Sequence, residues 1–291
     1  LSYYQFQMST NSKASNYFFV SLVSGGCAGT ATDLTFFPID TLKTRLQASG
    51  GFFNNGGFRG LYKGLGSALV GSAPSASLFF ITYDTMKRYL YRVLPSHFSK
   101  ESTALTVAHM ISSSMGEIAA CTVRVPVEVI KQRTQSMQFK TSWESFKFIA
   151  GNKSGEGILK GLYRGYGTTI MREIPFTTIE FPLYEALKAE WAEKTNVKHL
   201  SPGKDAVCGS IAGGIAAAIT TPLDVLKTRL MLEKQRVPVF KMISRMVQNE
   251  GYSIFLSGIV PRTMWISAGG AVFLGAYETV SASLRTLYEL D

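Results

Sequence analysis

The sequence predicts an all-α membrane protein: six transmembrane helices in a pseudo-threefold bundle of three tandem helix–loop–helix repeats. Three observations carry this prediction. Long uncharged runs recur: Ala14 to Thr32 holds no charge for 19 residues, Gly64 to Tyr83 for 20 and Ala206 to Leu223 for 18. Each is close to the ~20 residues needed to span a bilayer. Charge is scarce, 17% of residues against 46% hydrophobic, and one charged motif returns three times.

Three further segments, 102–123, 166–184 and 263–277, complete the six, shortened or interrupted by charges. All six are rich in Gly, Ala and Ser, and spacings such as Gly25-xxx-Gly29 and Gly209-xxx-Gly213 let membrane helices approach closely. With charges gathered between the runs, the pattern argues against a soluble helical protein. The opening stretch LSYYQFQMSTNSKASNYFF is polar, and the run behind it is too long and Gly-rich for a cleavable signal. Cys27, Cys121 and Cys208 are far apart, odd in number and without a CxxC, so they read as buried thiols. No metal or cofactor is expected. The net charge of +10 suits nucleic acid, a membrane surface or an anionic solute. Its basic residues sit at helix ends instead of along one stripe, which argues against nucleic acid.

PIDTLKTR begins at Pro38, PVEVIKQR at Pro126 and PLDVLKTR at Pro222, at spacings of 88 and 96 residues. A second motif follows each: YDTMK at Tyr83, YEALK at Tyr184 and YETVS at Tyr277. The chain therefore reads as a single domain over 1–291, with repeats of about 14–95, 102–197 and 202–291. Proline inside a spanning helix kinks it and frees a carbonyl, which a neighbouring helix or a cavity must satisfy. An acid and a base three residues apart share a helix face. With three copies around an axis each acid can reach the base of the next unit. Asp40, Glu128 and Asp224 are thus expected to meet Lys131, Lys227 and Lys43. Six such charges cannot face lipid, so they face a common interior.

These motifs resemble the mitochondrial carrier family, from about residue 17 to 290. The resemblance implies a multi-pass protein of the mitochondrial inner membrane, not an enzyme, with short matrix helices, both termini in the intermembrane space and a monomeric working unit. It also implies alternating access between two rings of charge pairs. The matrix gate maps onto Asp40, Lys43, Glu128, Lys131, Asp224 and Lys227. Gln47 and Gln135 match the glutamine braces below it, whereas Met231 departs. The cytosolic gate maps onto Asp84, Lys87, Glu185, Lys188 and Glu278. Ser281 stands where its third base belongs, which implies a weaker outer gate. YKG (62–64), YRG (163–165) and LSG (256–258) precede the even helices. Helix starts with free N–H groups suit phosphate. In the family they hold cardiolipin, which marks Gly64, Gly165 and Gly258.

A gate needs three equivalent positions, but a small asymmetric solute does not. Counting back 13 residues from the even-helix acids gives Gly71, Arg172 and Trp265, followed by Ser72, Glu173 and Ile266. On the odd helices, Asp33 stands level with Cys121 and Ala217, and Glu117 with Gly29 and Gly213. Asp33, Glu117, Arg172 and Glu173 are thus mid-membrane charges present in one repeat only. Arg124 and Glu180 are also unmatched, nearer the two rings. Arg172 followed by an acid matches the family's amino-acid carriers. A guanidinium can hold an α-carboxylate with two hydrogen bonds while a carboxylate takes the ammonium. Adjacent helix residues point about 100° apart, so Arg172 and Glu173 are not expected to pair with each other.

Trp265 can stack on a purine or attract a cation. Asp33 and Glu117 suggest more positive charge than a neutral amino acid carries, although Glu117 sits at a small-residue position and could instead bind a neighbouring helix. An amino-acid moiety, an extra cation and a purine together suggest S-adenosylmethionine. The resemblance extends to the short first loop, where 44 residues separate Asp40 from Asp84 against 57 and 54 in the other units. It implies import of S-adenosylmethionine in exchange for S-adenosylhomocysteine. A basic amino acid (lysine, arginine or ornithine) is the alternative solute. A soluble S-adenosylmethionine-dependent enzyme is the alternative of another class, and it lacks a strand–Gly-rich-turn–helix unit or a nucleophile.

Overall fold

The computed structural model describes residues 2–93, 101–197, 200–233, 235 and 237–287. Over these the chain is helical, in the order α1 (Ser2–Gln47), α2 (Leu65–Val93), α3 (Glu101–Gln135), α4 (Ser142–Ala150), α5 (Ile158–Leu162), α6 (Tyr166–Lys194), α7 (Pro202–Leu232), α8 (Val239–Glu250) and α9 (Ile259–Leu287). A 3-10 turn, Tyr252–Leu256, links α8 to α9. Six of the helices are long. The shortest of these have 29 residues, which at ~1.5 Å per residue exceeds the ~30 Å of a hydrocarbon core. They pack in chain order into a closed ring, α1–α2–α3–α6–α7–α9, with α9 returning to α1.

The outer surface is what lipid requires. On α7, Ile211, Ile215 and Ile219 form an exposed stripe four residues apart, while Ala212, Ala216 and Thr220 beside them are buried. Val70, Phe80 and Ile81 are exposed on α2. Apolar residues outside and small or polar ones inside invert a water-soluble helix. Among the described residues, α2 and α7 hold windows long and apolar enough to cross a membrane.

Pro38, Pro126 and Pro222 all lie inside helices. The carbonyl that Pro126 frees, that of Thr122, accepts the Tyr163 hydroxyl at 2.9 Å. The tyrosine of YRG thereby repairs the proline's damage. Its first-repeat counterpart, Tyr62, stacks on Phe37 with ring centroids 6.2 Å apart. Short helices occupy the second and third loops. Against the expectation for all three units, residues 48–64 of the first form turns. Their glycines explain this, since Gly50, Gly51, Gly56, Gly57 and Gly60 all take positive φ, which a helix cannot use.

Gly64, Gly165 and Gly258 start the even helices with φ of 93°, 79° and 73°, a region that side chains resist. Each also rests on the next repeat. A Cβ on Gly64 would lie 3.1 Å from the Lys131 carbonyl oxygen, one on Gly165 2.9 Å from Met231 Cγ, and one on Gly258 3.3 Å from Lys43 Cγ. Gly64→Ala should therefore cost about 1–3 kcal/mol and lower the melting temperature in detergent. Gly66→Ala, whose Cβ meets nothing, should leave it unchanged or raise it.

Candidate functional site

One end of the ring is closed by three ion pairs, each joining two repeats. Lys131 Nζ lies 2.7 Å from Asp40 Oδ2, Lys227 Nζ 2.7 Å from Glu128 Oε2 and Lys43 Nζ 2.7 Å from Asp224 Oδ2. These are the three partnerships expected from the motif. Gln135 Nε2 donates to Asp40 Oδ2 at 3.0 Å, and Gln47 Nε2 to Asp224 Oδ2 at 2.9 Å. Met231 is buried at the third brace position. There Gln132 substitutes from within α3, its Nε2 donating to Glu128 Oε1 at 2.9 Å.

The arginine that ends each motif is buried as well. Arg45 Nε donates to the Gln135 carbonyl at 2.8 Å, and Arg133 Nε to that of Met231 at 3.2 Å. Each caps the exposed C-terminal carbonyls of the next odd helix. Arg229 breaks the cycle, since both its Nη groups reach the Glu250 carboxylate at 2.7 Å.

Above the pairs lies a cavity of about 860 Å³. Gly71, Ser72, Arg172, Glu173, Trp265 and Ile266 all line it, as their equal depth predicts. Asp33 and Glu117 are not among the lining residues. Asp33 is half-buried, whereas its equivalents Cys121 and Ala217 are fully buried. Glu117 Oε2 instead accepts from Arg124 Nη1 at 2.7 Å, on its own helix. One expectation is corrected outright: Arg172 Nη2 does bond to Glu173 Oε1. A long guanidinium stem spans the 100° between adjacent positions. Arg124 also approaches Glu173, at 3.6 Å. Glu180 lines the cavity and forms no ion pair among the described residues.

Arg262 is a site residue that the sequence reading passed over. Its side chain is buried in the cavity wall, with Nη1 2.5 Å from Asp224 Oδ1 and Nη2 donating to Thr220 Oγ1 at 2.9 Å. Arg172 Nε stands 3.7 Å from the same Asp224 oxygen. The depth comparison could have found Arg262, because 16 residues before the even-helix acids stand Ala68, Thr169 and Arg262.

At the other end the expected pairs are not formed among the described residues. Asp84, Lys87, Glu185 and Lys188 make no ion pair with one another, and the Glu278 side chain lies outside the described residues. Both lysines have competing partners. Lys188 Nζ lies 3.5 Å from Asp205 and 3.4 Å from the Tyr184 hydroxyl. Lys87 sits over the rings of Tyr83 and Tyr91, 5.6 and 5.4 Å from their centroids, a cation–π contact. Beside Gly165, Arg164 is buried, bonded to Glu156 and to the Glu233 carbonyl.

A ring of membrane-length helices about one cavity, shut at one end by charge pairs, defines a membrane solute carrier. The chain belongs to the mitochondrial carrier family, whose model, described as "Mitochondrial carrier protein", matches residues 14–94, 102–195 and 198–287. PET8 of Saccharomyces cerevisiae, which bears a mitochondrial carrier name, is 60% identical over 271 residues, covering 92% of this chain and 95% of that protein. The "Mitochondrial S-adenosylmethionine carrier protein" of Mus musculus is 47% identical over 272 residues, covering 92% and 95%. That of Danio rerio is 46% identical over 276 residues, covering 92% and 98%.

The Asp40–Lys131 pair can be weighed by a double-mutant cycle. Asp40→Asn and Lys131→Met should each lower thermal stability, by on the order of 3 kcal/mol, because a buried charge loses its partner. Together they should cost less than the sum. Strict additivity would show that the two groups do not interact.

Proposed function

We propose that this protein imports S-adenosylmethionine across the mitochondrial inner membrane into the matrix, in exchange for S-adenosylhomocysteine. The observation that carries the reading is the lining of the cavity above the ion pairs, which includes Arg172, Glu173 and Trp265. Arg172 takes the α-carboxylate. Glu173 and Glu180 face the ammonium and sulfonium, and Trp265 offers its indole to the adenine or the sulfonium. Relatives at 45–47% identity that are named for S-adenosylmethionine transport support the same solute.

The three ion pairs serve as the matrix gate, with Gln47 and Gln135 as braces. Asp84, Lys87, Glu185, Lys188 and Glu278 serve as the cytosolic gate. Pairs formed at one end and unformed at the other are what a carrier presents when its cavity faces the intermembrane space. Solute binding would open the first ring and let the second close. Gly64, Gly165 and Gly258 mark helix starts for cardiolipin, and the monomer is the working unit.

Protein reconstituted in liposomes should take up labelled S-adenosylmethionine, faster when the vesicles are preloaded with S-adenosylhomocysteine. Preference for lysine, arginine, ornithine or ATP would overturn the reading. Arg172→Ala should lower uptake roughly 10–100-fold, the loss of a charge-assisted contact. Met231→Gln should add the missing brace, raising thermal stability while slowing exchange. Faster exchange with an unchanged melting temperature would contradict the gate.

A further inference from the structure

We propose that Arg262 joins Arg172 in holding the α-carboxylate of the solute, and that the two release Asp224 to do so. The inference deepens the proposed function and rests on an amino-acid solute.

Three observations converge on this pair. Both guanidiniums line the cavity and turn to one oxygen, Asp224 Oδ1, at 2.5 Å from Arg262 and 3.7 Å from Arg172. The other oxygen of Asp224 is already taken by Lys43 at 2.7 Å and Gln47 at 2.9 Å. Arg172 and Arg262 each also keep a buried Nε–H with no acceptor among the described residues. A buried donor left unmet is costly, and here two such donors border the same cavity. A guanidinium offers its Nε–H and an Nη–H together as one edge, the edge a carboxylate fits with two bonds.

Charge gives the third argument. The ion pairs that meet at Asp224 form one connected network: Glu117, Arg124, Glu173, Arg172, Asp224, Arg262 and Lys43. It holds three carboxylates against four cations. The Asp40–Lys131 and Glu128–Lys227 pairs are balanced one to one. The network therefore lacks one negative charge, and one carboxylate supplies it. Glu180, outside the network, is left for the positive centre of the solute.

The consequence is a link between binding and the gate. A carboxylate between Arg172 and Arg262 competes directly with Asp224 for both. Asp224 then keeps Lys43 and Gln47 alone, and the α7–α1 seam weakens as the site fills.

The test uses two solutes that differ only in the carboxylate, S-adenosylmethionine and its decarboxylated analogue. They compete against labelled S-adenosylmethionine uptake in liposomes and, independently of transport, are read by their thermal stabilisation of the purified protein. The wild type should favour the carboxylate form by about tenfold or more. Arg262→Gln should weaken the carboxylate form by a similar factor and leave the analogue within about threefold, abolishing the preference. Equal weakening of both, or of neither, would overturn the assignment. If the glutamine variant does not fold, Arg262→Lys retains the charge without the fork and should still cut the preference, and an unchanged preference would overturn the proposal. A wild type that carries arginine in place of S-adenosylmethionine defeats the proposed function alone. The Arg262 assignment is then judged by the same rule from arginine against its decarboxylated form, agmatine.

Discussion

Charges in hydrocarbon need partners, and the charges of the repeated motif find theirs in a different repeat. Asp40 finds Lys131, Glu128 finds Lys227 and Asp224 finds Lys43, each in a different repeat. The cost of six unpaired intramembrane charges is thus relieved only when all three units close on one another. That requirement fixes the ring of helices, the inward face of every odd helix and the existence of a cavity above the pairs. The prolines, the left-handed glycines and the buried arginines are accessories to it. Tyr163 repairs a carbonyl freed by proline, and Gly64, Gly165 and Gly258 let one repeat lie directly on the next.

Symmetry and its breaking divide the labour. Where the three repeats agree, the residues hold the bundle together. Where they differ, at Arg172, Glu173, Trp265, Glu180 and Arg262, the residues line the cavity. A pseudo-threefold scaffold can present an asymmetric solute with different chemistry on each wall without disturbing the closure below.

Much of this was legible in the sequence, for identifiable reasons. The ion-pair partners followed from a three-residue spacing repeated three times, which puts the acid and the base of each motif on one inward helix face. Gly71, Arg172 and Trp265 lie level because equal counts from a repeated motif mean equal depth along near-parallel helices. What escaped depends on side-chain reach and competition. Arg172 bends back to Glu173, a contact helix angles alone argue against. Asp33 lies outside the cavity lining, although its neighbour Thr32 is part of it. Lys87 and Lys188 take aromatic rings and Asp205 in place of the expected acids, a choice set by conformation and not by spacing. Arg262 lies one helical turn from Trp265, outside the levels at which the repeats were matched.

The turn of Arg229 toward Glu250 has a topological meaning. The first and second repeats are tethered by the connection from α2 to α3, and the second and third by that from α6 to α7. No stretch of chain ties the third repeat to the first. That same junction lacks the arginine-to-carbonyl stitch found at the other two, and leans on the cluster around Asp224. The protein is a bracelet with two riveted joints and one clasp, and the clasp is fastened by Lys43 and Gln47, which both hold Asp224.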